Sequence, residues 1–254
     1  MKVGLVAVGQ AGGKIADALV RYERNAVVDI VADAVAVNTA RADLLGLREI
    51  EPERRVLIGG DRVKGHGAGA DNELGAELAR DDIDEIRDAV DAIPTSDVDA
   101  FLVVAALGGG TGSGGAPVIC RELRRIYEEP VYAFGVLPAR DEGGIYTLNA
   151  ARSFRTFVDE VDNLLVFDND AWRETGESMQ GSFDRINEEI VRRFGVLFSA
   201  GEVSTDGEVA ESVVDSSEII NTLACGGVST IGYATEAVEA ADDGLLDRFK
   251  ETDV

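Results

Sequence analysis

The stretch AALGGGTGSGGAP, residues 105–117, joins an apolar run, AFLVVAA at 100–106, to a segment of helical spacing at 114–128. An apolar run that ends in glycines and then takes up a 3.6-residue period reads as strand, turn and helix. A tight turn needs one or two glycines, and this one has six between 108 and 115. Glycine lets backbone N–H groups close on a ligand, and the helix that follows adds unpaired N–H groups and the positive end of its dipole. Thr111 and Ser113 add hydroxyls. The stretch is therefore assigned to a phosphate group. It is no P-loop, because no Lys-Ser or Lys-Thr pair follows. Gly110-x-Gly112-x-x-Gly115 does satisfy the spacing of a dinucleotide fingerprint. That fingerprint belongs after the first strand of a βαβ unit, with an acid at the end of the next strand. Here it follows the fourth apolar run, and the next run ends in Gly-Val-Leu-Pro. An NAD(P) oxidoreductase fails on this order.

Outward from this stretch the same alternation recurs. Short apolar runs at 3–8, 34–37, 56–58, 100–106, 131–137 and 163–167 are separated by amphipathic stretches at 13–23, 72–91, 114–128, 145–160 and 183–199. Strands spaced by helices imply right-handed crossovers, hence an α/β fold with a mainly parallel sheet flanked by helices. Ligands of such sheets collect at the strands' C-terminal ends. Four of the six ends carry several glycines, in GQAGGK, GGDRVKGHGAGADNE, GGGTGSGG and PARDEGG. The helix at 183–199 is amphipathic early and almost wholly apolar at VLFSAG, so it needs cover on several sides.

Charge narrows the partners. The 254 residues carry 48 Asp and Glu against 24 Lys and Arg, a net charge of −24, and only Lys2, Lys14, Lys64 and Lys250 are lysines. Such a chain repels nucleic acid and anionic membranes. An acidic, lysine-poor surface suits concentrated salt, where screening shortens to about 3 Å at 1 M. No apolar run is long enough to span a membrane, and MKVGLVAVG is too short and glycine-interrupted for a signal peptide, so the expected location is the cytoplasm. One histidine, His66, leaves no room for a catalytic triad or a His-based zinc site, and Cys120 and Cys225 lack metal-ligand spacing.

At this point the residues resemble a family. GGGTGSG in this position is similar to the signature of the tubulin/FtsZ superfamily of GTPases. KGHGAGADNELGAE, DEGGIYTLNAARSF and LLVFDNDAWR resemble CetZ, its tubulin-like cytoskeletal branch in salt-loving archaea. The resemblance implies a GTP/GDP site with Mg²⁺ bound mainly through the nucleotide. It implies that Gln10 and Ala11 form the first phosphate loop, Asn38 and Thr39 the second, and Ala70, Asp71 and Asn72 part of the loop that senses the γ-phosphate. Gly108, Gly109, Gly110, Thr111, Gly112, Ser113 and Gly114 would surround the α- and β-phosphates. Glu142 would contact ribose, Asn169 and Asn187 would read guanine, and Phe183 would stack on the base. From the residues alone, Phe183 and Asn187 share a helix face at i and i+4, which suits either a purine platform or core packing. Asn169 suits a helix cap equally well, and Glu142 a solvated loop.

Asp215 and Glu218, in VVDSSEII, stand three apart at a helix start, a spacing close to a capping box. The resemblance implies a second role: as catalytic acids that position the attacking water on a neighbour's nucleotide, in head-to-tail filaments of the chain or with a full-length relative. The expected layout is a GTP-binding α/β domain over 1–180, a central helix over 181–200, and an acid-bearing loop, helix and tail over 201–254, with most of the family's second domain absent. The function so implied is a CetZ-type GTPase of the cell-shape cytoskeleton. The alternative is a non-polymerising GTP-binding protein that caps or regulates filaments of full-length relatives. The apolar end of the central helix is expected to lose its cover.

Overall fold

The computed structural model describes residues 1–172, 179–199 and 215–234. Its centre is one seven-stranded sheet in which every neighbouring pair is parallel. The strands are β1 (Val3–Val8), β2 (Val31–Asn38), β3 (Arg55–Leu57), β4 (Ala100–Ala106), β5 (Val131–Leu137), β6 (Asn163–Asp168) and β7 (Val228–Ser229), in the spatial order β3-β2-β1-β4-β5-β6-β7. Both faces of the central strands are buried, which is why their sequences are continuously apolar rather than alternating. Leu5, Leu102 and Val104 point to one core, Val6, Phe101 and Val103 to the other.

The first core is closed by α1 (Gly9–Ala26) and α8 (Met179–Ser199). The second is closed by α4 (Asn72–Asp81), α5 (Ile83–Asp91), α6 (Thr111–Ile126) and α7 (Gly144–Glu160). Three shorter α-helices, α2 (Arg41–Leu45), α3 (Gly60–Val63) and α9 (Ser216–Leu223), and four 3₁₀ turns complete the described residues.

The six expected strands are present, and the helices differ in instructive ways. The stretch 72–91 is two helices, broken at Asp82, whose carboxylate turns away to accept the Gly59 N–H at 2.5 Å. The helix expected to begin at 114 begins at Thr111, so half of the glycine signature is helical. Pro117 sits inside it and has no N–H for the Ser113 carbonyl; the Ser153 hydroxyl of α7 donates to that carbonyl instead, at 2.7 Å. The apolar end of α8, expected to lose its cover, is covered in part among the described residues: Phe198 is buried while Val196 is 45% exposed. Phe194 and Phe198 are each 2% exposed, and Phe194 meets Phe134 edge-to-face at 4.8 Å. Strand β7, two residues beside β6, was not anticipated.

Candidate functional site

Strand order reverses between β1 and β4: β2 and β3 lie on one side, β5 to β7 on the other. At that switch point two strand-to-helix turns meet. Gly9 has φ +77°, and a Cβ on it would lie 3.0 Å from the Gly112 amide nitrogen. A Cβ on Gly112 would lie 2.8 Å from the Ala106 carbonyl oxygen and 3.2 Å from that of Val8. Only glycine allows both turns to come this close, and the approach sets the first turns of α1 and α6 side by side. Neither helix carries a side-chain cap or an acidic residue in its first turn. α7 and α8 share that lack of an acid, whereas α2, α3, α4, α5 and α9 all have one. The first N–H groups of a helix have no partner within it. In a strongly acidic chain, then, these two positive dipole ends are left bare, as an anion site requires.

A cavity of about 520 Å³ opens above this point, across the C-terminal ends of β1, β2, β4, β5 and β6. The sequence-expected residues Gln10, Ala11, Asn38 and Ala70 line it, as do Gly108, Gly109, Gly110, Thr111 and Gly112. At the far end it is lined by Glu142, Asn169, Phe183 and Asn187. Asn169 is 7% exposed, and its Oδ1 has no hydrogen-bond partner among the described residues. Phe183 and Asn187 stand one turn apart on α8, with Ile186 between them. Glu142 also accepts the Ala139 N–H at 2.7 Å, so it shapes its own turn while reaching the cavity.

Five expected residues are not among those that line the cavity. The Thr39 hydroxyl lies 2.6 Å from that of Thr111, both residues buried. Asp71 caps α4 by accepting the Leu74 N–H at 3.0 Å. Asn72 and Gly114 pack where α4 crosses α6, and the Ser113 hydroxyl donates to the Gly109 carbonyl. These groups hold the loops around the cavity.

The two acids are elsewhere. Asp215 caps α9, accepting the Glu218 N–H at 2.9 Å, and both residues are exposed. Ser216 beside them donates to Asp99, which precedes β4, at 2.9 Å. The acids therefore sit at the N-terminal edge of the sheet, a strand's length of roughly 20 Å from the cavity.

Several lining residues were missed. Lys14 follows Gln10 by four positions on α1, so its place on the same face was legible. His66, Asp43 and Tyr146 also line the cavity. His66 gets there because its segment zips onto the end of β2: Arg41 N–H donates to Gly65 at 2.9 Å and Gly67 N–H to Thr39 at 3.1 Å. Asn149 and Ser153 of α7, buried and one turn apart, tie the loops from behind. Among the described residues no cluster of three or more His, Cys, Asp or Glu could hold a metal ion, and no helix is long and apolar enough to cross a membrane.

Comparison with known proteins agrees with this architecture. Residues 2–177 match the model of the tubulin/FtsZ family GTPase domain, and 176–254 match that of the tubulin-like CetZ C-terminal domain. The chain belongs to the CetZ branch of the tubulin/FtsZ family. It is 68% identical to the tubulin-like protein CetZ1 of Haloferax volcanii over 252 residues, which is 98% of this chain and 64% of the relative. Its likeness to CetZ2 of the same organism is 52% over 246 residues, 96% of this chain and 67% of the relative. The chain thus spans about two thirds of the length of these CetZ relatives. Among solved structures, the GDP-bound CetZ1 monomer of H. volcanii superposes with a TM-score of 0.83 at 67% identity, covering 90% of this chain and 66% of that one. The GTPγS-bound CetZ2 protofilament superposes at 0.82 with 50% identity, covering 90% and 64%. The CetZ fold, a parallel sheet flanked by helices and followed by α8, is shared throughout.

Proposed function

We propose that this chain binds GTP and GDP in the cavity and hydrolyses GTP where a second copy docks head to tail, as a cytoplasmic filament protein of the cell-shape cytoskeleton. The observation that carries the reading is the polarity of the cavity. Bare helix N-termini and glycines at β1 and β4 suit a chain of phosphates. An aromatic ring and two amides at β6 and α8, with Asn169 Oδ1 left without a donor, suit a purine that brings N–H groups of its own. The GDP-bound and GTPγS-bound CetZ relatives support it.

In this mechanism the first turns of α1 and α6 hold phosphate oxygens by backbone N–H groups. These are fixed dipoles that need no reorganisation as charge shifts toward the leaving diphosphate. Lys14 adds a cation at the cavity wall. Mg²⁺ would arrive with the nucleotide and neutralise phosphate charge; Gln10 and Asp43 at the wall are the oxygen-bearing side chains suited to its water shell. Among the described residues, the carboxylates lining the cavity are Asp43 and Glu142, which come from different loops and form no pair. Asp215 and Glu218, at the opposite end of the sheet, supply one when two copies stack with the same polarity. Such a contact is heterologous and builds filaments. Asp215, fixed by its own capping bond, and Glu218 beside it orient the attacking water and accept its proton.

Calorimetry with GDP, GTPγS and NAD tests the binding half: the guanine nucleotides bind and NAD does not. Failure of both guanine nucleotides to bind rejects the proposal. GTP turnover tests the second half. Specific activity must rise with protein concentration in molar KCl, and a flat profile without light scattering rejects hydrolysis between subunits.

A further inference from the structure

We propose that Asn149 is a positioning residue that sets the cavity's preference for a nucleoside triphosphate over a diphosphate, an inference that rests on the nucleotide reading above. Asn149 is 1% exposed, in α7, and its side-chain nitrogen donates both hydrogens to main-chain carbonyls: Ala70 at 2.7 Å and Gly108 at 3.0 Å. Two acceptors on one atom fix that atom as the nitrogen. The two carbonyls are 38 positions apart in sequence, in different loops, and one amide clamps them together.

The loops have different duties. Strand order runs from β6, where Asn169 receives the base, through β5 and β4 to β1 and β2. Gly108 opens the turn at β4, in the middle of that path. Residues 67–70 run from the end of β2, where Gly67 N–H donates to Thr39, to the β4 turn, where Ala68 and Asp71 pack on Gly110, on the side of the cavity away from the base. On the nucleotide reading this is the loop that meets the terminal phosphate of a triphosphate. Gly69 presents open space there, with no atom within 4 Å of where its Cβ would be.

The far loop is also the strained one. Gly67, Gly69 and Ala70 all have positive φ, at +90°, +60° and +61°. Glycine takes that region freely, while alanine is disfavoured in it. Ala70 holds it because its carbonyl is bonded to Asn149 on one side and the chain enters α4 through the Asp71 cap on the other. Release of that bond lets Ala70 relax and turns the loop from the terminal phosphate. Gly108 loses its bond as well, but its turn needs no positive φ and stays fixed by the Leu107 N–H on Val136 at 2.9 Å, so the diphosphate, held at β1 and β4, is touched less.

The test is binding of GDP and GTPγS to three proteins: the unaltered chain, Asn149→Ala, and Asn149→Ala combined with Ala70→Gly. Asn149→Ala should weaken GTPγS roughly tenfold and GDP by less than about threefold. Adding Ala70→Gly should restore part of the lost GTPγS affinity, because glycine adopts the same φ without help. Loss of packing in α7 would not be repaired from position 70. Equal weakening of both nucleotides, or no recovery in the double variant, overturns the inference. If the unaltered chain binds neither nucleotide, the nucleotide reading itself has failed. Should Asn149→Ala not fold, hydrogen exchange on the unaltered chain decides. Residues 67–71 and 108–110 must gain protection together when GTPγS replaces GDP, and protection in one segment alone refutes the clamp.

Discussion

Substituting Asn169→Leu should raise stability while lowering nucleotide affinity. In the nucleotide-free protein, Asn169 Oδ1 is a buried acceptor with no donor among the described residues. Such a group costs about 1–3 kcal/mol. Leucine has a similar volume and no polar atom, and a swap that conserves volume costs up to about 1.5 kcal/mol in repacking. The net effect is a gain on the order of 1 kcal/mol, or a rise of about 2–4 °C in Tm for a domain of this size. With guanine nucleotide the sign reverses. The ring N–H groups lose their acceptor and are themselves left unpaired, at about 1.5–3 kcal/mol, so Kd for GDP should rise roughly tenfold to a hundredfold. Differential scanning calorimetry without nucleotide gives the first number and titration calorimetry with GDP the second. A fall in Tm of several degrees with an unchanged Kd would show that Asn169 merely caps its turn, and the base-reading assignment would be wrong.

Three further outcomes follow from the geometry. Gly112→Ala forces a Cβ to 2.8 Å from the Ala106 carbonyl oxygen, against backbone that cannot move aside; urea denaturation should show a loss of about 1–3 kcal/mol, and GDP affinity should fall with it. Asp215→Ser keeps a side-chain cap for α9 while removing the carboxylate, whereas Asp215→Ala loses about 1 kcal/mol of capping. GTP turnover should drop equally in both variants while only the alanine form is less stable, and full turnover in the serine form would reduce Asp215 to a cap. Cys120 is buried, and burial pushes its thiol well above the ordinary range, while Cys225 is exposed. A colorimetric thiol reagent should therefore count one reactive thiol in the native protein and two after unfolding, and rapid labelling of both would contradict the packing around α6.

Much of this molecule was legible in its sequence because strand burial and glycine placement are local signals. The six apolar runs become strands because a sheet covered on both faces needs no alternation. The glycine turn could be read because phosphate binding and close helix–strand approach demand the same residue. What escaped detection depends on partners distant in sequence. The break at Asp82 exists because its carboxylate serves Gly59, 23 positions away. The cover over Phe194 and Phe198 comes from Phe134 and its neighbours in the first core. Asn149 looked like any polar residue of an amphipathic helix, since nothing near it in sequence reveals the two carbonyls it holds. Thr39 and Ser113, expected at the ligand, spend their hydroxyls on Thr111 and on the Gly109 carbonyl, partners that the sequence around them does not reveal. Pro117 was the one local hint of such partners: a proline within a helix leaves a carbonyl in need of a donor from elsewhere.

The bare first turns of α1 and α6 have a consequence for the medium in which such a chain works. Attraction between a phosphate and a lysine or arginine at a distance is weakened by dissolved ions, steeply so in concentrated brine. A backbone N–H in contact with a phosphate oxygen acts at bonding distance, where no counter-ion can intervene. Among the described residues lining the cavity, Lys14 is the one lysine or arginine. An anion grip built from main chain can thus keep its strength while the molecule's negative surface is being screened, and molar potassium chloride becomes a condition under which this site holds its ligand rather than one that dislodges it.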